Sequence, residues 1–339
     1  MGKPLLELKN VKTYFQVNKH RLVKAVDDVS FHIDQNEVVA LVGESGSGKS
    51  MTSMSIMGLV DSPGKVTGAI TLNGTDLNTL SAKKLDKFRG KDIAMIFQEP
   101  MTSLNPVFSV GNQIIETIRK HTNVSKNQAK KRAIELLKLV GFSRAEESLT
   151  EFPHQLSGGM RQRVMIAMAM SCNPKLLIAD EPTTALDVTI QQQILDLMIK
   201  VKNEFQSSIL LITHDLGVVA ETADRVLVMY GGQIVEEAPA YELFTSPSHP
   251  YTQGLLKSMP NLEDDKERLE AIRGMVPPAH QFPSGCRFAS RCDYATDVCN
   301  DVLPELVKTE GARKVRCLMY QEGSLTPNEQ RLQEREVHS

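Results

Sequence analysis

The sequence predicts an α/β fold. A mostly parallel, covered sheet is interrupted by an inserted helical subdomain and followed by a small cysteine-rich C-terminal extension. Three observations predict it. Strongly apolar β-type runs alternate with helical segments, the pattern of a parallel sheet packed on by helices. One such run, "EVVALVG" at 37–43, leads directly into "GESGSGKS" at 43–50, so a strand feeds a glycine-rich turn that opens a helix. Four of the five cysteines, Cys286, Cys292, Cys299 and Cys317, gather near the C-terminal end.

Taken in order, "LLELKNV", "AVDDVSFHI" and "EVVALVG" read as strands, and "MTSMSIMGLV" after Ser50 reads as a helix. "GAITLNG" (68–74) is a strand between turn residues, and "DIAMIFQEP" (92–100) is a buried strand ending at Gln98. Between 110 and 172 the period becomes helical, in "VGNQIIETIRK" and in "NQAKKRAIELLKLVG", which Gly141 closes. Strands return in "KLLIADEP" (175–182), "SSILLITHD" (207–215) and "RVLVMYGGQIVEEA" (225–238), the last with a hairpin at Gly231-Gly232. From about 246 the texture turns proline-rich, in "SPSHPYTQG" and "MVPPAHQFPSGC", with the charged stretch "NLEDDKERLE" between them and the polar tail "QEGSLTPNEQRLQEREVHS" at the end.

The 339 residues suffice for a domain-sized core and a smaller second unit, and a formal net charge of −2 advertises no basic face for nucleic acid. The longest apolar run, "VMIAMAM" at 164–170, is far short of the roughly 20 residues that span a bilayer. The first ten residues lack a secretory apolar stretch, so a cytoplasmic chain is expected, with any membrane association supplied by partners. In that compartment the cysteines are not expected to form disulfides. Cys172, alone in an apolar segment, reads as a small buried hydrophobe.

"GESGSGKS" fits G-x-x-x-x-G-K-[ST] from Gly43 to Ser50. Its glycines let backbone N–H groups close around phosphates, Lys49 reaches the β- and γ-phosphates, and the Ser50 hydroxyl suits Mg²⁺. "LLIAD" plus Glu181 puts two carboxylates at a buried strand end. Asp180 suits Mg²⁺ contact and Glu181 suits the attacking water. Gln98 and His214 close two further strands, so all four sites should gather along one sheet edge, where open α/β sheets bind ligands. A second glycine-rich turn, "LSGGMRQR" at 156–163, also opens a helix and offers N–H groups to an anion.

With these residues assembled, the chain resembles the nucleotide-binding subunits of ABC transporters over about residues 5–245. The ordered set is the phosphate loop Gly43–Ser50, the Q-loop Gln98, the signature "LSGGM" at 156–160, the Walker B pair Asp180-Glu181, the D-loop "ALD" ending at Asp187, and the switch His214. The resemblance implies an ABC-type nucleotide-binding domain: a P-loop NTPase core with a β-subdomain and a helical subdomain at about 100–172. It implies an ATP hydrolase whose catalytic residues are Glu181, His214, Gln98 and Asp187. ATP contacts are implied at Ser45, Gly46, Ser47, Gly48, Lys49, Ser50, Met51 and Gln98, with Mg²⁺ held through Ser50, Gln98 and Asp180. Family spacing gives adenine stacking to Phe15, with Tyr14 the alternative. Two such subunits pack head to tail in this family. Ser157, Gly158 and Gly159 are therefore expected on the nucleotide of a neighbouring subunit, and Gln98 is expected to couple the site to the membrane partner.

The cysteine spacing is C-x₅-C-x₆-C-x₁₇-C. It lacks the tight pairs of structural zinc and suits an iron–sulfur cluster, with zinc and four free thiols as the other readings. "SPSHPYTQGLL" (246–256), "GCRFASRC" (285–292) and "QEPMTSLNP" (98–106) resemble the ATPases of dipeptide and oligopeptide importers. That resemblance implies an extension at 246–320 whose Cys286, Cys292, Cys299 and Cys317 match the ligands of a four-iron four-sulfur cluster, before a tail at 321–339. It further implies a second, different homologous ATPase, two membrane permease subunits, an extracytoplasmic peptide-binding protein acting indirectly, and a peripheral place on the cytoplasmic face of the membrane. Peptide is the expected cargo; nickel or glutathione is the alternative.

Overall fold

The computed structural model describes residues 3–19, 21–98, 103–184, 187–258 and 272–321. Its strands, in chain order, are β1 Leu6–Asn18, β2 Arg21–Ile33, β3 Val38–Val42, β4 Gly64–Leu72, β5 Thr75–Asp76, β6 Ile93–Ile96, β7 Leu176–Asp180, β8 Ser208–Ile212, β9 Arg225–Tyr230, β10 Gln233–Pro239, β11 Val307–Lys308 and β12 Lys314–Val315. Among the described residues they make two sheets, an antiparallel one in the order β2-β1-β4-β5 and a larger one in the order β11-β12-β10-β9-β3-β8-β7-β6.

The run β9-β3-β8-β7-β6 is parallel throughout. Every residue of β3, β7 and β8 is buried, which is why these segments read as continuous apolar runs and not as alternating ones. Alternation survives in which layer each side chain joins. Leu177, Ala179, Ile209 and Leu211 pack under the helices, whereas Leu176, Ile178, Leu210 and Ile212 pack with β1, β2 and β4.

Sequence signals set the helix ends. Ser109 caps helix Val110–His121, and Ser125 with Gln128 forms a capping box on Lys126–Leu139. Gly141, at φ 91°, follows the latter in a conformation few other residues adopt. The helix after the phosphate loop runs Lys49–Met57 and stops short of "GLV", because Gly58 turns left-handed and closes it.

Two strands are shorter than their apolar runs suggest. β6 ends at Ile96 and β8 at Ile212, so Gln98 and His214 lie two residues past the ladder instead of closing it. Leaving the ladder frees their backbones to turn both side chains toward the sheet edge. Cys172, expected to be buried, is half-buried, with its Sγ 3.9 Å from the Thr117 carbonyl oxygen.

The C-terminal segment is tied into the main sheet. β12 pairs with β10 through Glu236 and Val315, and β11 pairs with β12. Buried Glu236 accepts the backbone N–H groups of Ser248 and His249, each at 2.8 Å. Lys314 bridges Glu237 at 3.0 Å, and Glu237 also holds buried Arg225 at 2.6 Å. Both carboxylates are thus partnered, as buried charges must be. Tyr230, Tyr251 and Phe288 form one aromatic core beside them, against which Cys286 and Cys292 pack. The charged stretch 261–270, the segment 99–102, Ala185-Leu186 and the tail from 322 onward lie outside the described residues.

Candidate functional site

The site is built at the C-terminal ends of β3, β7, β6 and β8. Gly43 to Gly48 bridge β3 to the helix Lys49–Met57, and glycine is required at two points. A Cβ at Gly43 would lie 2.2 Å from the Met229 carbonyl oxygen, and one at Gly48 would lie 2.5 Å from that of Ala25. Gly48 caps the helix in a left-handed conformation and offers no side-chain bond, so the first-turn N–H groups of Lys49, Ser50 and Met51 are free of capping and point at the loop's concavity. Met51's side chain turns away and packs against the apolar core. Ser45, Gly46 and Ser47 form the bend, which Ser47 closes by donating its N–H to the Glu44 carbonyl at 3.2 Å.

Lys49 is 5% exposed. Its amine donates to the carbonyls of Gly43 at 2.7 Å and Glu44 at 3.0 Å. Burial pulls its pKa down, opposed by the charges of Glu181, Asp180 and Glu44. Asp180 sits across the loop, accepting from Ser50 Oγ at 3.0 Å and Ser53 Oγ at 3.4 Å. Burial pushes the Asp180 carboxyl above the ordinary range and neighbouring Glu181 adds to it, while the two hydroxyls and Lys49 oppose. A buried carboxylate beside a serine hydroxyl and a second carboxylate is a donor set that fits a hard divalent cation with phosphate oxygens.

Glu181 follows the strand with φ 46°, a left-handed conformation costing a side-chain-bearing residue about 1–3 kcal/mol. Its N–H donates to the Ile212 carbonyl at 2.8 Å, which fixes the turn. The carboxylate collects three groups: Gln98 Nε2 at 2.9 Å, Thr184 Oγ1 at 3.0 Å and His214 Nδ1 at 3.4 Å. The residues read as four separate strand ends thus meet in one cluster. Asp187 is an exposed N-cap of helix Val188–Phe205 and makes no side-chain capping bond there.

Thr184, Ser53 and Tyr251 were missed from sequence. Thr184 and Ser53 are small hydroxyl residues with nothing to mark them. Tyr251, whose hydroxyl accepts the Glu44 N–H at 2.8 Å, lies within "SPSHPYTQGLL", a stretch read for its prolines and its resemblance with no role given to the tyrosine.

Three expected features lie apart from this cluster. Ser157, accepting from the Met160 N–H at 3.3 Å, caps helix Gly158–Ala169 and is exposed with Gly158; Gly159 faces Ile190. Tyr14 and Phe15 project from β1. Tyr14 donates to Asp27 beneath the Lys24 ammonium, while the Phe15 ring lies against Gly64. Beside Gln98, exposed Phe97 enters a groove of about 560 Å³ between β6 and the helical layer, walled by Met57, Met95, Met165 and Met168.

Cys286, Cys292, Cys299 and Cys317 line one cavity, with His249 and Phe288 among its walls. None is in a disulfide. Among the described residues no group of three or more His, Cys, Asp or Glu side chains is arranged to hold a metal ion. The expected four-cysteine ligand set lines one cavity but does not form a metal-binding group among the described residues. Burial pushes the Cys292 and Cys317 thiols up to about 12, opposed by bonds from the Tyr294 and Met319 backbones. Cys286 is likewise raised by burial and receives bonds from the backbones of Phe288 and Ala289.

Comparison with known proteins agrees with this geometry. The ABC transporter family model matches residues 26–184, and that of the oligopeptide/dipeptide transporter C-terminal region matches 235–299. The oligopeptide transport ATP-binding protein AppD of Bacillus subtilis (strain 168) is 58% identical, across 94% of this chain and 97% of its own. The dipeptide transport ATP-binding protein DppD of Haemophilus influenzae is 52% identical, across 92% and 94%. Among solved structures, a dimeric post-hydrolysis state of the ATP-binding cassette MJ0796 bound to ADP and Pi superposes with a TM-score of 0.62 at 29% identity, covering 69% of this chain and 98% of that one. The cbiO1 cassette of Clostridium perfringens gives 0.61 at 26%, covering 72% and 92%. The chain is an ABC ATPase, and it belongs to the ABC transporter family of ATP-binding proteins.

Proposed function

We propose that this chain is the ATP-hydrolysing subunit of a peptide importer, driving uptake through membrane permease partners. The observation that carries the reading is the Glu181 carboxylate, gathered by Gln98, Thr184 and His214 within reach of the Asp180–Ser50–Lys49 corner. Identity of 58% to an oligopeptide transport ATP-binding protein supports the cargo class. In this reading residues 1–245 form the cassette, with helices at about 100–172 inserted, and 246–320 the extension, followed by the tail 321–339.

Lys49 leaves the loop carbonyls for the β- and γ-phosphates, and the N–H groups of Ser45 to Met51 close around them. Ser50, Asp180 and Gln98 would hold Mg²⁺, which would supply the positive charge that offsets charge developing in phosphoryl transfer. Glu181 orients the attacking water and takes its proton. His214 and Gln98, both on the Glu181 carboxylate, hold it in line, and Asp187 lines the junction with the neighbouring subunit. Phe15, free of any polar group, stacks on adenine.

Ser157, Gly158 and Gly159 serve a nucleotide held by a second ATPase subunit, which the peptide reading makes a different homologue. The exposure of Ser157 and Gly158 supports this, since a capped helix N-terminus facing solvent is available to a partner's phosphate. Ser157→Arg is expected to leave ATP binding at this chain's own loop unchanged while lowering hydrolysis at the partner's site about a hundredfold. Nucleotide titration and phosphate release in the assembled pair check both halves, and a binding defect at the chain's own loop sinks the head-to-tail arrangement.

The methionine-lined groove beside Phe97 suits a permease's cytoplasmic helix, methionine being adaptable at such contacts. No helix among the described residues is long and apolar enough to cross a membrane, so the permeases would supply the attachment to the cytoplasmic face. A peptide-binding protein outside the cell would act only through them.

Cys286, Cys292, Cys299 and Cys317 would hold a four-iron four-sulfur cluster, whose role is to fasten the extension. Support comes from their shared cavity and from backbone bonds to three sulfurs. Anaerobically purified protein is expected to absorb broadly near 400 nm and to contain about four irons and four sulfides per chain. A colourless protein with one zinc, or with no metal, overturns the cluster and leaves the ATPase intact.

A further inference from the structure

We propose that Arg291 is a positioning residue for ATP binding: its guanidinium holds and neutralises Glu44, an acidic residue inside the phosphate loop. Arg291 lies in the turn Ala289–Arg291, immediately before Cys292, and its side chain is 4% exposed. It grips Glu44 with both ends of its fork, Nη1 to Oε2 at 2.6 Å and Nη2 to Oε1 at 3.0 Å. The remaining donors are spent on the carbonyls of Arg273 at 2.8 Å and Gly274 at 3.2 Å, while Nη1 also approaches the Tyr230 hydroxyl at 3.4 Å. Such a fully engaged fork has one rotameric solution, and lysine cannot reproduce it.

Glu44 is the second residue of a loop that must cradle a polyanion. An unpaired carboxylate there repels the triphosphate, and a freely rotating one competes for Lys49. The structure removes both problems from one side. Tyr251 takes the Glu44 N–H, Arg291 takes its carboxylate, and the Glu44 carbonyl is left to Lys49 and Ser47. Two of the four residues that hold Glu44 therefore come from the C-terminal segment. Arg291 is covalently next to Cys292, so whatever fixes Cys292 also fixes the guanidinium under the loop.

The inference rests on Gly43–Ser50 holding ATP, a point that Lys49→Ala tests by itself. The experiment uses full-length protein carrying Arg291→Gln, Arg291→Lys, or Arg291→Gln with Glu44→Gln. It reads the Kd of a fluorescent ATP analogue with Mg²⁺, KM against kcat, and amide exchange over residues 43–50. Arg291→Gln is expected to raise Kd and KM about tenfold, with kcat within about twofold and faster exchange in the loop. Arg291→Lys keeps the charge but not the fork and falls between. Adding Glu44→Gln removes the orphaned carboxylate and restores most of the affinity, a rescue that simple propping of the segment would not give. Wild-type Kd in Arg291→Gln overturns the proposal, as does a double variant no tighter than the single. Should Arg291→Gln fail to fold, wild-type affinity in Arg291→Lys overturns it equally.

Discussion

Glu181→Gln is expected to lower ATP turnover by about two to four orders of magnitude while leaving ATP binding intact, the range general-base removal produces. Glutamine keeps the length and shape of the side chain and tolerates φ 46° no worse than glutamate, so the strained turn should survive. The Glu181 N–H that donates to the Ile212 carbonyl is retained, as is one side-chain oxygen to accept from the Thr184 hydroxyl. What is lost is the negative charge and one of the two acceptor oxygens, in a carboxylate whose Oε2 accepts from Gln98 and Thr184 and whose Oε1 faces His214. With hydrolysis blocked, the γ-phosphate stays in place and the closed pair of subunits accumulates, because a ligand holds a state by its differential affinity for it. Phosphate release gives the rate, and sedimentation with and without Mg-ATP gives the association. Turnover at the wild-type rate removes Glu181 from the water-orienting role. Lost ATP binding would instead make it a structural support of the loop.

The legible part of the site was the part written in short contiguous words. "GESGSGKS" needs glycine where the Met229 and Ala25 carbonyls approach, and that demand is local enough to show in one sequence. The parallel sheet was legible because burial on both faces produces unbroken apolar runs. Gln98 and His214 were found because polar residues after such runs stand out, although neither belongs to its ladder. Thr184 and Ser53 were invisible for the opposite reason. A single hydroxyl close to a carboxylate is significant only once the chain has folded them together.

The C-terminal segment shows the same limit at larger scale. β11 and β12 have two residues each, too few to display any period, yet they extend the main sheet through β10. Their register runs through Glu236 and Glu237, acidic residues that are buried and fully partnered in β10. The cysteines announced a site by clustering, whereas the path from Arg291 to Glu44 joins residues 247 positions apart and no spacing rule describes it.

Lys49→Ala is expected to weaken ATP affinity at least about a hundredfold, or about 2.8 kcal/mol at 1.4 kcal/mol per tenfold. Lys49 is the cation facing Glu44, Asp180 and Glu181 in the loop corner, and each of those carboxylates acts on its ionisation. Removing it leaves a site of like charge to the triphosphate, and at low effective dielectric each close pair of unit charges counts for several kcal/mol. The folded state itself should change little. The amine's bonds to the Gly43 and Glu44 carbonyls are lost, but so is the cost of burying an ammonium that is 5% exposed. The two effects oppose, so the melting temperature without nucleotide should stay near that of the wild type. Mg-ATP at a hundred times the wild-type Kd should stabilise the wild type by about 2.7 kcal/mol and the variant by less than about 0.5 kcal/mol. Thermal melts with and without nucleotide separate these quantities in one experiment. Equal stabilisation of both proteins would take ATP out of this loop, and a variant that melts far lower without nucleotide would mark Lys49 as a structural brace instead.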